Sequence, residues 1–209
     1  MPKIIKTSFD AKLIDPKSNR EETAAFLADK PHDFYLPNWI GPYGYELLCS
    51  RPVLEDEGTK QTIALVFQGR TVYKVKTFVR NSPNAYMSKK NCTQLIVWRD
   101  FTHADNVTLH GFANRVFDHL LSLHDIMISD EHQSEDGKRF WLYRIGEALA
   151  TPDRHVYYID LNELDDDMIP IMTEIQDVDE LKEKYLPLGW GCEPEFKDKA
   201  FVISGSSAK

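Results

Sequence analysis

The segment TVYKVKTFV, residues 71–79, alternates in polarity: apolar or threonine side chains fall on one face from Tyr73 on, and Lys74 and Lys76 fall on the other. This period of two predicts a half-solvated antiparallel strand. The apolar runs QTIALVFQG and CTQLIVWRDF, before and after it, predict two more strands. Because the first two segments meet at Gly69 and Arg70, we expect a hairpin followed by a third strand.

A different period begins at residue 109. From Leu109 to Leu121, apolar residues recur at spacings of three and four, which predicts a helix with one buried stripe and Thr108 as its N-cap. The run IMIS that follows is too short for a helix and predicts a strand. Ser134 opens a second predicted helix with Trp141 on its apolar face, and HVYYIDL predicts a further strand.

This order of elements predicts an α/β domain in which the first strands are antiparallel and a central helix crosses to the next strand. The chain is expected to consist of an N-terminal helical and loop region, a core, a C-terminal helix and strand of the same domain, and a loose tail. These four parts are residues 1–45, 46–162, 163–204 and 205–209. In the third part, the run KAFVIS predicts an edge strand.

Three segments beside this core have their own patterns. REETAAFLAD predicts a helix whose apolar face consists of Thr23, Ala24, Phe26 and Leu27. The segment PHDFYLPNWIGPYGYE is either an ordered loop over a groove or a surface loop that carries aromatic side chains to the core. NELDDDM predicts a solvated turn, whose charge would also repel nucleic acid or attract a basic partner.

Composition narrows the classes of function. The chain has 209 residues, 42% of them hydrophobic, which is enough for one core, and its formal charge of -8 has the wrong sign for holding nucleic-acid phosphates. Direct nucleic-acid binding is therefore not expected. The three cysteines form no Cys-x-x-Cys pair, and no apolar run has the length of a signal peptide or a membrane span. We expect a soluble, cytoplasmic protein without membrane contact.

Gly111 lies in the first turn of the predicted central helix, where backbone N–H groups have no helical acceptor. Glycine inside a helix costs about 1 kcal/mol relative to alanine, so this position needs an explanation. One explanation is a phosphate bound by the open helix end and its dipole. The other is close packing of Gly111 against a neighbouring strand.

The order of elements and the segment TLHGFA resemble the GCN5-related N-acetyltransferase (GNAT) superfamily over residues 45–162. That family's acyl-coenzyme A loop reads Gln/Arg-x-x-Gly-x-Gly/Ala; Gly111 and Ala113 fit, and Thr108 stands where the family has Gln or Arg. The resemblance implies an α/β fold with a GNAT-like mixed, mainly antiparallel sheet and helices on both faces, and acetyl-coenzyme A as co-substrate. The loop residues expected to bind it are Thr108, Leu109, His110, Gly111, Phe112 and Ala113.

A second motif carries the resemblance further. The family's next helix is patterned Asn-x-x-Ala-x-x-x-Tyr, and here Ser134, Gly137 and Trp141 stand at those positions, so Ser134 and Trp141 are further candidates for cofactor binding. The family's tyrosine protonates the leaving thiolate, whereas an indole has no proton to give, so no general acid is expected at Trp141. The run SDEHQSEDGKRFW resembles a variant found in GNAT-like proteins of bacteriophages and mobile elements.

Two aspartates are the catalytic candidates. Asp100 ends the third strand, where GNAT sites often draw the base or the residue that binds its water; the alternative is a solvated aspartate at a strand end. Asp130 follows the short strand and either holds a substrate amine or caps the acidic turn. His132 in that turn is either a site residue or a plain surface histidine, and the second is the more common situation. No two histidines are spaced i, i+4 on a helix, so no metal site is expected.

Two functions stay open. The first is an acyltransferase that binds acetyl-coenzyme A near residues 109–113 and acylates an amine of a small molecule or a protein, with Asp100 or a bound water taking the proton. Attack on the thioester needs mainly positioning, so the missing tyrosine does not exclude it. The second is a non-catalytic binding protein on the same scaffold, a phage or mobile-element factor that engages a host protein. The departures at Thr108 and Trp141 favour the second.

Overall fold

The computed structural model describes residues 3–4, 11–84, 87, 89–100, 103, 109–128, 132–133, 135–189 and 198–205. The chain is α/β, with mixed, mostly antiparallel strand pairing. It divides into two compact units. The first unit comprises Met1–Thr7, Arg80–Thr93 and Leu120–Lys209, and the second unit comprises Ser8–Val79 and Gln94–His119.

The described helices and strands are numbered in chain order. The helices are α1 Ala11–Ile14, α2 Pro16–Ala28, α3 Phe112–Leu123, α4 Glu135–Leu149, α5 Val178–Glu180 and α6 Leu186–Gly189, with a π-helix at Leu181–Tyr185. The strands are β1 Lys3–Ile4, β2 His32–Asp33, β3 Tyr45–Cys49, β4 Val53–Glu55, β5 Gly58–Phe67, β6 Arg70–Arg80, β7 Asn91–Arg99, β8 Asp125–Ile128, β9 His132–Gln133, β10 His155–Leu164, β11 Pro170–Ile175 and β12 Lys199–Ser204. None of these helices is long and apolar enough to cross a membrane.

In the second unit, the strand order is β7-β6-β5-β3-β2, and β4 pairs with β5. β3 and β5 are antiparallel, with Tyr45 opposite Phe67 and Cys49 opposite Ile63. β5 and β6 are neighbours joined by two residues, a connection that only an antiparallel hairpin allows. The predicted hairpin and the third strand are thus confirmed.

The buried face of helix α2 agrees with the prediction only in part. Its N-terminus is capped by Asp15, whose side chain accepts from Ser18 N at 2.8 Å. The predicted face is wrong at Ala24 and Leu27, which are exposed. The prediction is confirmed at Thr23, which is buried, and in part at Phe26, which packs on Leu48, Ala64 and Val66. Asn19 is buried as well.

In the first unit, the strand order is β11-β10-β12-β8-β7. β8 runs parallel to β7, with Asn91 opposite Asp125 and Cys92 opposite Ile126. β12 lies between β10 and β8 and is antiparallel to both, so the prediction of KAFVIS as an edge strand is wrong. All its residues after Lys199 are buried, which explains its continuous apolar run. The edge is β11, a strand that the pattern did not predict.

The two longer helices around the short strand follow their patterns, with one shift. The continuous helix α3 begins at Phe112, later than predicted, because Gly111 has a left-handed φ of +67° and cannot belong to a right-handed helix. α4 buries Trp141, as predicted, together with Ile145 and Ala148. The placement of helices on both faces of the sheet stays a prediction.

Candidate functional site

Gly111 sets the backbone at the start of α3. Its carbonyl oxygen accepts a helical bond from Arg115 N at 3.2 Å. The amides of Phe112 and Ala113 come before that bond, so the helix itself offers them no acceptor. The turn therefore has the polarity of an anion site, because N–H groups and the positive end of the helix dipole lie together.

The space beside Gly111 is open. A Cβ atom at this position would meet nothing within 4 Å. Close packing against a strand, one of the two explanations of this glycine, is therefore wrong. The left-handed φ explains it instead, since an L side chain in this conformation costs about 1–2 kcal/mol. The same open space lets a phosphate-sized group approach the backbone.

The predicted loop residues around Gly111 differ in what they offer a ligand. Leu109 and Phe112 are each 1% exposed, so their side chains belong to the core and only their backbone can contact a ligand. His110 is exposed and Ala113 is half-buried. Thr108 lies outside the described residues.

Phe112 anchors the turn in the second unit. Its ring stands edge-on to Trp39 and to Tyr73, at centroid distances of 5.1 and 4.9 Å. Contacts of this kind add to the large apolar area that an aromatic ring buries. The packing of the Phe112 ring thus fixes the position of the Gly111 turn.

The aromatic loop before β3 lies along α3. Phe34 stands edge-on to His119 at 5.3 Å, and Arg115 Nη1 donates to Asn38 O at 3.4 Å. Burial lowers the pKa of His119. The loop therefore carries aromatic side chains to the core, one of the two predicted alternatives. Three of its large side chains remain exposed: Tyr35, Ile40 and Tyr43.

Asp100 is buried rather than solvated. Its side chain is 7% exposed, and Oδ2 lies 3.2 Å from Nη2 of Arg70. Asp100 N also donates to Val72 O at 2.9 Å, which fixes the end of β7 against β6. A charge-assisted contact of this kind orients the carboxylate of Asp100.

A histidine and a tyrosine meet at the same end of these strands, a contact that no sequence pattern predicted. Tyr45 Oη lies 2.5 Å from His103 Nε2, and both rings pack against Phe67. Tyr45 is opposite Phe67 in the strand register. The two polar residues are far apart in the chain, and Tyr45 falls in a segment predicted as loop, so no local pattern could reveal the contact.

The described cysteines are not nucleophiles. Burial raises the pKa of Cys49 to about 11 and that of Cys92 to about 12. Because the thiolate is the reactive form, both groups stay protonated and inert at neutral pH. Cysteine-based acyl transfer at these two positions is thus excluded.

Trp141 belongs to the first unit, where it lies on α4. It is 4% exposed, and its ring stands edge-on to Phe140 at 5.1 Å. Its indole therefore serves as core in the protein alone. The other two candidates predicted in this part of the chain, Asp130 and Ser134, lie outside the described residues.

Asp125 is a buried carboxyl that sequence patterns did not single out. Its Oδ1 accepts from Ser204 Oγ at 2.6 Å. Burial raises its pKa, against the opposing effects of the Ser204 bond, the charge of Lys89 and a backbone hydrogen bond from Lys89. The residue directly opposite in β7, Asn91, is also buried.

The backbone at His132, which was predicted to lie in a turn, forms a short strand that pairs with another strand. β9 pairs in parallel with β1, with His132 opposite Lys3 and Gln133 opposite Ile4. Across the described ranges, no group of three His, Cys, Asp or Glu side chains could hold a metal ion. The turn at Gly111 is therefore the candidate site that the geometry defines best.

Comparison with known proteins adds no family to this picture. The chain matches no protein-family model, no curated protein and no solved structure. What can be said of its chemistry therefore rests on its own residues and on the resemblance of its motifs.

Proposed function

We propose that the protein binds acetyl-coenzyme A and transfers the acetyl group to an amine, as GNAT enzymes do. The observation that carries this proposal is Gly111. The glycine that fits the coenzyme A loop motif has a left-handed φ, open space beside it and a helix directly after it. Structural packing does not require that combination, whereas a bound pyrophosphate would use all three features.

The pyrophosphate would be held mainly by backbone groups. The amides of Phe112 and Ala113 supply donors, and the helix dipole adds attraction. Arg115 is exposed at the start of α3, where it supplies a full positive charge. In this proposal Arg115 offsets the loss of the Gln or Arg that Thr108 replaces.

The transfer step needs no acid from Trp141. The amine nitrogen attacks the thioester carbon, a C–N bond forms, the C–S bond breaks and coenzyme A leaves as thiolate. The proton of the amine passes to a water held by Asp100, and solvent returns a proton to the thiolate. Asp100 fits the role of a positioning residue because it is buried and fixed by Arg70. Asp130 remains the candidate for holding the amine.

Isothermal titration with acetyl-coenzyme A tests the proposal, and the chain offers a matched control. Gly69, in the β5–β6 hairpin, also has a left-handed φ, +72°, and open space where a Cβ would lie. Gly111→Val and Gly69→Val therefore introduce similar backbone strain. We expect Gly111→Val to abolish binding, because its branched side chain occupies the phosphate position, and Gly69→Val to bind as the unmodified protein does.

Thermal unfolding of both variants completes this test. If the two lose stability equally and only Gly111→Val loses binding, the effect belongs to the site. Equal binding by all three proteins, or no heat of binding with any of them, would remove acetyl-coenzyme A from the Gly111 turn.

The burial of Trp141 favours a second candidate function, a non-catalytic binding protein on a GNAT-like scaffold. A channel wall would be exposed in the protein alone, whereas Trp141 is 4% exposed. The indole fluorescence distinguishes the two, with Trp141→Phe as the reference that assigns the signal. A shift of the Trp141 signal on adding acetyl-coenzyme A supports the enzyme, and turnover of acetyl-coenzyme A would end the non-catalytic alternative.

A further inference from the structure

Strand β11 forms an edge of the first unit. It pairs with β10 on one side, from Val156 opposite Ile175 to Leu164 opposite Pro170. In the part of the chain that the structure describes, no strand pairs with its other side. In an antiparallel pair every second residue directs its N–H and C=O away from the partner. Pro170 has no N–H, and its carbonyl oxygen accepts from Asn84 Nδ2 at 2.8 Å, so the backbone groups that an added strand can use lie after Pro170 on β11.

Large apolar side chains are exposed along this edge and its hairpin. Leu164, Met168 and Ile171 are 40%, 72% and 44% exposed. The hairpin tip, residues 165–169, is ordered by hydrogen bonds within it. Asp165 Oδ1 accepts from Asp167 N at 3.0 Å and from Ile169 N at 2.9 Å. The tip thus holds its apolar side chains in solvent as a fixed surface.

Along β10, the hairpin and β11, the formally charged side chains are all acidic. No lysine or arginine occurs between Arg154 and Lys182. Acidic residues lie at the hairpin tip and again beyond the far end of the strand. They are Glu163, Asp165, Asp166 and Asp167 at the tip, and Asp177 and Asp179 at the far end. This distribution selects the partner.

A second copy of the chain does not fit. Antiparallel pairing of two β11 strands would bring the tip of one copy beside the far end of the other, so acidic groups would face each other at both ends. Like charges that face each other across strands are destabilising. The same charge repels nucleic acid and anionic membranes.

We infer that β11 binds an extended segment of another protein as an added strand, and that this segment is rich in lysine or arginine and in aliphatic residues. Backbone bonds to β11 give affinity, aliphatic side chains contact Leu164 and Ile171, and basic side chains approach Asp166 and Asp167. The surface does not involve the Gly111 turn, so it is independent of acyl transfer.

Fluorescence anisotropy on the full chain tests the inference with three labelled peptides. The probe is a short peptide of alternating lysine and valine. One control peptide alternates glutamate and valine, and the other is the lysine peptide with a central proline. We expect the lysine peptide to bind and neither control peptide to bind, because one has the wrong charge and the other cannot form the strand. Asp166→Lys with Asp167→Lys should weaken binding by roughly tenfold at low salt, less at high salt.

Two single variants separate strand addition from charge attraction. Ile171→Lys and Leu54→Lys add the same charge to exposed strand positions, but Leu54 lies on β4 in the second unit. Loss of binding only in Ile171→Lys supports the β11 edge. Equal effects of the two variants, or equal binding of the proline peptide, would overturn it. A dimer in light scattering that Ile171→Lys abolishes would instead assign the edge to a second copy.

Discussion

Helices α2 and α3 both pack on strands of the second unit, but by opposite kinds of contact. Within this unit, α3 buries an apolar stripe with a helical period, which consists of Phe112, Val116 and Phe117. The most buried side chains of α2 are Asn19 and Thr23. A helix can therefore dock through polar side chains, provided that every buried polar atom has a partner.

Asn19 meets that condition completely. Its Nδ2 donates to Leu13 O at 2.9 Å and to Thr71 O at 3.0 Å. Its Oδ1 accepts from Thr71 N at 2.9 Å and from Thr23 Oγ1 at 3.2 Å. The amide thus uses both donors and accepts two bonds, which joins α1, α2 and β6 in one network.

The largest effect is expected on α3. Phe112→Ala removes a ring that is 1% exposed and contacts Trp39 and Tyr73, so it should lower the free energy of unfolding by about 3–5 kcal/mol. Urea unfolding followed by circular dichroism measures the loss. Phe112→Leu keeps most of the apolar volume and should lose clearly less. Similar losses in the two variants would mean that the apolar volume of this side chain does not hold the helix.

Asn19→Leu is the direct test of the comparison. Leucine is more apolar than asparagine at similar size, so the change would stabilise α2 if apolar burial alone held it. We expect the opposite, a loss of about 1–3 kcal/mol, because backbone groups of Leu13 and Thr71 would be left buried without their partner. The midpoint of urea unfolding reports the sign.

An exposed position on the same helix supplies the control. Ala24→Leu makes the same kind of change on the solvated side of α2 and should alter stability by less than about 0.5 kcal/mol. If Asn19→Leu were neutral or stabilising beside a neutral Ala24→Leu, the polar network would be dispensable and the contrast between the two helices would fail.

This contrast also explains how far the sequence could predict the fold. The stripe of α3, the β5–β6 hairpin and the short strand β8 follow from apolar periods, since each period is local. The face of α2 does not, because Asn19 becomes a core residue only through Thr71 in a distant strand. The position of β12 between β10 and β8 is likewise set by pairing with distant strands. Its continuous apolar run AFVI is a local sign of a central strand.

The candidate site, too, could be predicted from the sequence only in part. Gly111 stood out from the sequence because glycine at the start of a helix is unusual, but its reason, a left-handed φ with open space, is a matter of backbone geometry. Its neighbours Leu109 and Phe112 proved to be core residues. The Tyr45–His103 contact had no local sign, because neither residue belongs to a motif and each is placed by a different segment.

Asp125 is the opposite case to Asn19, because it is a buried carboxyl whose pKa is raised by burial, and replacing it should change stability with the opposite sign. Burial raises its pKa above the value of about 3.9 expected for the unfolded chain, so the folded state holds its proton more tightly. Its contribution to stability is then complete below the unfolded pKa and is lost as pH rises through the folded pKa. Asp125→Asn carries no charge at any pH and keeps an oxygen for Ser204. We expect it to match the unmodified protein in acid and to become the more stable of the two as pH rises, reaching a constant difference above the folded pKa. Thermal unfolding of both proteins across this pH range gives the difference directly, and the other carboxyl groups cancel because they are common to both. A constant difference across the range, or one that favours the unmodified protein at neutral pH, would show that Asp125 is ionised in the fold and has a partner that balances its charge.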